Sequence, residues 1–384
     1  MNIKMKKVLI ILCGIMMCFS CQHMSKHLQV ETDGQDSLQA SLYTSYAKGF
    51  RVEQREGWRL LEICDPQIES NSSSFRFALV EDGVDAEGIP ADMPKIRVPI
   101  RSAICTTTLQ LSGFLKLQAL DIVSGVMSAK RLFSKELKQR LDDGRIVKIG
   151  KEGNFDVELI MANQPSVILV SLSKRGGFDV LAELGIPLVP YMGYQETSPL
   201  AQAEWIKIVG LLLGKEHEAD SLFSVVEKNY LAARSLVASA DTLQLPSVLY
   251  GKLHGDNWYA MGGESFISQI CHDAGARYFM SGDERSGGVN LDFENVYSQA
   301  NNVDFWIVQS KGHSAITYKS LSSEDERYMD FRPWKEHRII TCDMGNTPFN
   351  ELSPMEPDTI LLDFIHAFHP NILKDYQPKY YKVL

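Results

Sequence analysis

The feature that most constrains this chain is an uninterrupted helical pattern from Ser198 to Ala240. Ser198 offers an N-cap hydroxyl, and Pro199 suits the first helical position, where its missing N–H is not needed. Apolar residues then recur at three- and four-residue steps: Trp205, Ile208, Val209, Leu212, Leu213, Leu222, Phe223, Val226 and Tyr230. No proline interrupts the run, and Gly210 and Gly214 are its only weak positions. As one helix of roughly forty residues it would extend roughly 60 Å, further than a small domain is wide. A rod of that length needs a separate core at each end, and 384 residues are enough for two.

The flanking sequence supplies both cores. Before the rod, strand-like and helix-like runs alternate: IRVPIRSAIC, LQLSGFLKLQAL, DIVSGV, KELKQRLDD, RIVKIG, a helix over 157–163, PSVILVS, GGFDVLAELG and IPLVPY. Alternation of that kind implies a parallel sheet with right-handed crossovers, and the continuously apolar VILV reads as its central strand. After the rod the pattern restarts with PSVLYGKL and DNWYAMGG, a hairpin through His254–Asp256, and continues through SFISQICHDAG, ARYFM, LDFENVYSQA, VDFWIVQS and HRIITCD to a closing helix over 357–366. Between 49 and 95, short strand-like runs split by Gly57 and by the polar cluster Glu69–Ser74 read as a small antiparallel β appendage. The expected fold is α/β: two Rossmann-like lobes, 96–197 and 241–384, joined by one long rigid helix over 198–240. Ligand is then expected at the carboxyl ends of the strands, in a cleft between the lobes.

The amino terminus reads differently. Lys4, Lys6 and Lys7 precede an apolar run from Val8 to Phe19, followed by Ser20 and Cys21. A basic region, a short apolar stretch and a small residue before cysteine form the pattern of a lipoprotein signal, and the apolar run is too short to span a membrane. Residues 1–20 are therefore expected to be a signal peptide, Cys21 the lipidated residue, and 21–48 a polar tether to the folded body. The expected location is periplasmic, on a membrane-anchored lipoprotein. Without the three lysines the chain carries 36 basic against 48 acidic residues, a net charge of −12. That balance excludes nucleic acid as a partner, which requires a basic face. Cys64, Cys105, Cys271 and Cys342 show no CxxC spacing; they read as scattered buried thiols, with two disulfides as the alternative.

Motifs for common chemistries are missing. GLLLGK (210–215) is one spacer short of a phosphate-binding loop, lacks the following Ser or Thr, and lies within the helical run. There is no GxSxG, HExxH or GxGxxG. His366 and His369 could share one helix face, but with Pro370 next they read as helix-end residues; His217 reads as a solvated helix residue and His254 as part of a hairpin tip. No metal site and no cofactor are expected, and no catalytic residues.

The loops at predicted strand ends share one chemistry of hydroxyls, amides, aromatic rings and close-approach glycines: Cys105–Thr108, Tyr191–Glu196, Lys252–Tyr259, Ser281–Gly288, Gln309–Lys311 and Asp343–Thr347. Such surfaces hold a bulky, partly apolar ligand by contact area and a few directed hydrogen bonds. The candidate ligand-binding residues are Thr106, Thr107, Tyr191, Tyr194, Gln195, Lys252, Trp258, Tyr259, Ser286, Gly287 and Asn346. For Trp258, beside a strand, core packing is an equal alternative.

The CTTT turn, GNFDVELIMANQPSVILVS, LGIPLVPYMGY, PLAQAEWIKIVGLLLGKE, AMGGESFISQICHDAGARY and DTILLDFIHAFHP, in that order over about 96–370, resemble the substrate-binding lipoproteins of ABC transporters. The similar group is the one with a rigid helical linker, which binds ferric siderophores, haem and cobalamin. The resemblance implies a monomeric receptor, not an enzyme, that captures a metal chelate between its lobes with little lobe movement. It also implies delivery to a permease dimer with its ATPases, with one acidic residue per lobe docking on permease arginines. Glu264, in GGESF, matches the second-lobe position; near the first-lobe position stand Lys174 and Arg175, with Asp179 and Glu183 as substitutes. The loops lean toward a ferric siderophore or related iron complex, with cobalamin or haem as alternatives of the same type. A chelatase-like enzyme and a direct Zn or Mn receptor are the readings from other classes.

Overall fold

The computed structural model describes residues 43–67, 74–151, 153–172, 178–238, 245–310, 312 and 315–384. The chain divides into Met1–Ser37 and Leu38–Leu384, and all described residues lie in the second unit. The expected signal peptide and Cys21 lie outside the described residues, as do Lys174 and Arg175.

Two five-stranded sheets form the lobes. In the first, the spatial order is Leu188–Pro190, Val167–Val170, Ala103–Cys105, Val123–Val126, Val147–Lys148, and every pairing is parallel. In the second, the order is Arg277–Tyr278, Ser247–Tyr250, Phe305–Ser310, Ile339–Asp343, Tyr381–Val383; only the last strand runs antiparallel. The central VILV strand is buried at all four positions, as its unbroken apolar run requires. A three-stranded antiparallel sheet (Lys252–His254, Asn257–Met261, Gly288–Asp292) stands beside the second lobe, its hairpin turning through Gly255 and Asp256 as expected.

The expected single rod is three helices: Pro199–Glu204, Ile206–Leu213 and Glu216–Ala238. Gly214 ends the middle one at φ +63°, in the left-handed region that glycine enters freely, while the amide of Lys215 donates to Gly210 O. The middle helix is buried at all eight positions, so it belongs to the first lobe's core and not to an exposed linker. The bridge between lobes is the 23-residue helix Glu216–Ala238: Phe223 enters the first core, while Tyr230 and Ala233 enter the second. At 1.5 Å per residue it covers about 35 Å.

Two boundaries also shift. The run IRVPIRSAIC is not one strand. Lys95–Val98 pairs parallel with Phe75–Glu81, so the appendage is a mixed four-stranded sheet, and only Ala103–Cys105 enters the lobe. Pro99 has no N–H to continue a ladder, which separates the two. One face of this sheet (Phe50, Val52, Leu61, Ile63, Phe77, Leu79, Ile96, Val98) shares the first lobe's core; Trp58, Leu60, Ala78 and Val80 form a small core on the other face. Nor does the tether remain free up to residue 48. The buried Glu204 carboxylate accepts from the amides of Ser45, Tyr46 and Ala47 at 2.8 Å each, and buried Glu196 accepts from Lys48 and Gly49. Residues 43–49 are thus pinned to the body by carboxylates that the sequence pattern assigned to a helix and a cleft loop.

A second crossing ties the lobes. After Asp343 the chain passes through Phe349–Leu352, where Phe349 packs edge-on against Tyr380 and Tyr381, and on to Met355 in the first lobe's core. Glu351, 1% exposed, accepts from Phe133 N at 2.6 Å and Ser134 N at 3.0 Å, and Lys116 pairs with Glu356 at 2.8 Å.

Candidate functional site

Strand order dictates where a ligand can sit. In the first sheet the chain runs from Ala103–Cys105 outward to one edge, then crosses to Val167–Val170 on the other side of that first strand. The second sheet does the same around Ser247–Tyr250, whose neighbours are Arg277–Tyr278 and Phe305–Ser310. At such switch points the loops leaving the strands diverge and open a crevice. Both crevices exist here.

The crevice at the first switch point is a cavity of about 460 Å³ lined by Thr106, Thr107, Thr108, Met127 and Ser128 from one lobe and by Met344 and Asn350 from the strap between lobes. Among the described residues, no charged one lines it. Thr106 is 2% exposed and its hydroxyl has no hydrogen-bond partner among the described residues. A buried, unpaired hydroxyl at a cavity wall is costly unless something hydrogen-bonds to it. Thr107 and Leu109 also line a narrower crevice with Ser171, Tyr191, Tyr194 and Gln202. Tyr194 is 39% exposed, and its hydroxyl donates to Leu172 O at 2.9 Å.

At the second switch point lies a larger cavity of about 1060 Å³, walled by Tyr250, Tyr259 and Tyr328, with Lys252, His254, Asn290, Gln309 and Ser310 among its polar groups. Its charges are largely answered within the protein: Lys252 pairs with Glu324 at 2.5 Å, and Asp325 with Arg327 at 2.7 Å. Tyr250 donates to Gln309 Oε1 at 2.8 Å, and Gln309 donates in turn to Tyr381. Burial pushes the phenols of Tyr191, Tyr250 and Tyr328 well above their ordinary value, so at neutral pH they are neutral hydrogen-bonding groups. The amide of Met344 donates to Ser310 O at 3.0 Å, so residues lining the two cavities lie on one hydrogen-bonded stretch of backbone.

Of the residues singled out from sequence, Thr106, Thr107, Tyr191, Tyr194, Lys252 and Tyr259 line these crevices. Trp258 does not. It is fully buried, donates from Nε1 to Tyr250 O, and packs against Trp306, Tyr328 and Phe331, so it is core. Alternation in Asn257–Met261 decides the matter, since neighbouring Tyr259 points the other way. Ser286 and Gly287 lead into the Gly288–Asp292 strand, and Asn346 is exposed and folded back on Asp343; none of the three lines a described cavity. Gln195 lies beside Tyr194 and meets the N-terminal sheet. Sequence reasoning missed Tyr250, Tyr328 and Asn350, and it placed Gln309 in a strand-end loop without naming it as a candidate residue. Tyr250, the last residue of the strand Ser247–Tyr250, and Gln309, next to last in Phe305–Ser310, could have been found; Tyr328 and Asn350 arrive on the short helices Glu326–Asp330 and Phe349–Leu352.

The two histidines at the end of the closing helix have backbone partners. His366 meets Leu373 O at 2.9 Å and His369 meets Gly275 O at 3.1 Å. Cys64, Cys105, Cys271 and Cys342 are free, and burial raises the thiols of the last three. Among the described residues no three His, Cys, Asp or Glu side chains stand close enough to hold a metal ion, and no helix is long and apolar enough to cross a membrane. Glu264 is exposed, just before the helix Phe266–Asp273 whose N-cap is Ser265.

Two parallel-sheet lobes with crevices at both switch points, joined by a helix and a strap, define a bilobal ligand-binding protein. The chain belongs to the periplasmic binding protein family, whose model matches residues 104–344. An uncharacterised lipoprotein of Methanocaldococcus jannaschii is 23% identical over 321 residues, 80% of this chain and 75% of the relative. A second uncharacterised lipoprotein of that organism is 24% identical over 82% of each chain. Among solved structures, a periplasmic binding protein from Veillonella parvula superposes with a TM-score of 0.59 at 15% identity, covering 79% of this chain and 97% of that one. The periplasmic haem-binding protein RhuT of Roseiflexus gives 0.56 at 20% identity, covering 71% and 99%. The family match begins at residue 104, so the N-terminal sheet lies outside it.

Proposed function

We propose that this protein is the substrate-binding component of an ABC importer, held outside the cytoplasm by a lipid on Cys21, and that it carries a bulky metal chelate between its lobes. The observation that carries this reading is the pair of crevices at the two switch points, about 460 and 1060 Å³, walled by hydroxyls, amides and tyrosines. Such walls suit an organic ligand that has already enclosed its metal; a bare ion needs several convergent His, Cys or carboxylate donors. Fold neighbours described as haem-binding, and one as possibly iron-binding, support the same ligand class, and the lipoprotein relatives support the anchor. Within that class a ferric siderophore is the first choice, because hydroxyls and amides outnumber large apolar side chains at the rim. Haem and cobalamin are the alternatives. Exposed Glu264 supports the second-lobe contact to permease arginines, and the exposed Asp179 and Glu183 offer the first.

The test is a binding titration of the soluble chain starting at Gln22. It would follow tryptophan fluorescence, corrected for ligand absorption, with a ferric hydroxamate, a ferric tricatecholate, haemin, cyanocobalamin, Zn²⁺ and Mn²⁺. Saturable one-to-one binding of one chelate supports the reading. Tight binding of a free ion alone, or metal insertion into a metal-free tetrapyrrole with turnover, overturns it.

A further inference from the structure

The N-terminal sheet touches the turn that carries the first lobe's exposed ring. Just past the strand Trp58–Ile63, Gln67 Nε2 donates to Gln195 O at 3.1 Å, and Gln195 Nε2 donates back to Asp65 Oδ2 at 3.4 Å. Asp65 braces its own end of this contact by accepting from Gln67 N at 2.9 Å. The Asp65 carboxylate is also close enough to Tyr194 to add to the effect of burial in raising that phenol. The remaining oxygen of Gln195 is buried without a partner among the described residues. One residue further on, Glu196 accepts from Lys48, Gly49 and the Trp205 indole. Trp205 then meets Phe50 and Tyr191 edge-on, each at 5.2 Å. The packing leaves no slack: a Cβ on Gly49 would stand 2.6 Å from the Trp205 ring.

We propose that this sheet is a working part of the binding site. Asp65 and Gln67 are positioning residues that hold the Tyr191–Glu196 turn, and through it Tyr194, in the conformation that receives ligand. A turn of this kind has little of its own to hold it: Gln195 N reaches Met192 O at 2.9 Å and Glu196 N reaches Gly193 O at 3.2 Å, a single short turn. Contacts from outside must supply the rest, and two of the side chains that do so stand on a segment the family match does not include. The effect on affinity rests on the ligand reading above; the positioning itself does not.

The experiment therefore has two arms. In ligand-free protein, hydrogen exchange at the amides of Gln195 and Glu196 is compared between wild type, Asp65→Ala/Gln67→Ala, Asp65→Asn and Arg59→Ala. The double variant is expected to exchange about tenfold faster at these amides, in line with the loss of two hydrogen bonds. Asp65→Asn, which keeps an acceptor for Gln195, retains most of the protection. Arg59→Ala breaks a 2.6 Å ion pair to Glu216 elsewhere on the same sheet and leaves these amides unchanged. Equal protection in wild type and the double variant, or equal loss in Arg59→Ala, overturns the positioning role. In the second arm, whichever of the four chelates binds wild type most tightly is expected to bind the double variant about fivefold more weakly. Faster exchange with unchanged affinity overturns the link to ligand. If none of the four binds wild type, the transport reading falls, and the exchange arm still decides the positioning role.

Discussion

Removing the Glu351 carboxylate should loosen one lobe from the other. Glu351 sits on the strap after Asp343, 1% exposed, and its two oxygens accept from Phe133 N at 2.6 Å and Ser134 N at 3.0 Å on the first lobe. A hydrogen bond to a charged acceptor contributes about 1.5–3 kcal/mol, so the pair supplies a gross of about 3–6 kcal/mol. Against this stands burial, which raises the Glu351 carboxyl above the usual range even though both amides favour the charged form. Phe133 and Ser134 are only half-buried, so water recovers part of their hydrogen bonding in a variant. The expected net loss for Glu351→Ala is about 2–3 kcal/mol, and for Glu351→Gln, which keeps one acceptor, about half that. Urea denaturation measures the total, and hydrogen exchange at Phe133 and Ser134 shows whether the loss is local. A change below about 0.5 kcal/mol, with both amides still protected, would refute the claim that this carboxylate fastens the lobes.

Three other outcomes are expected. If the proposed chelate is the ligand, Tyr259→Ala should weaken its binding about tenfold, with thermal stability near wild type, because the ring is 40% exposed at the larger cavity; isothermal titration and a melt separate the two effects. Glu264→Lys should leave chelate affinity unchanged and depress ligand-stimulated ATPase activity of the reconstituted transporter; normal stimulation would remove Glu264 from the docking scheme. Burial alone would raise Glu356, but hydrogen bonds from Lys116, Lys379 and Tyr380 outweigh it and hold the carboxyl below 4.5. A carboxyl lowered by folding stabilises the protein above its unfolded value and loses that contribution as pH falls through the folded value. Glu356→Gln should therefore narrow the stability gap between pH 7 and the acid limb below about pH 4.5, measured by urea midpoints at each pH; an unchanged gap would contradict this.

Much of this molecule was readable from residue order because much of it depends on local periodicity. Alternating strands and helices, the VILV strand and the helix over 157–163 follow from side-chain spacing and caps, and spacing is a property of neighbours in the chain. The strand-end loops were legible for the same reason: once Ala103–Cys105 is a strand, Thr106 and Thr107 must leave its carboxyl end. Tyr259 and Trp258 mark the limit. Both are aromatic and adjacent, and alternation puts one in the cavity and the other in the core, but which face is inward depends on the Trp306, Tyr328 and Phe331 cluster that covers it.

The sequence alone therefore determined two α/β lobes and a helical connection, and it put hydroxyls, amides and aromatic rings in the loops at the strand ends. Tertiary structure decided the rest. It broke the helical run at Gly214, where only a left-handed residue lets the helix Glu216–Ala238 fold back against the one before it, with Gly210 close to Ala219. It turned Glu196 and Glu204 into clamps for a segment about 150 residues away, and it made Glu351 a fastener between lobes. A carboxylate's role is set by which amide groups come within 3 Å, and those partners, far off in sequence, leave no periodic mark on it.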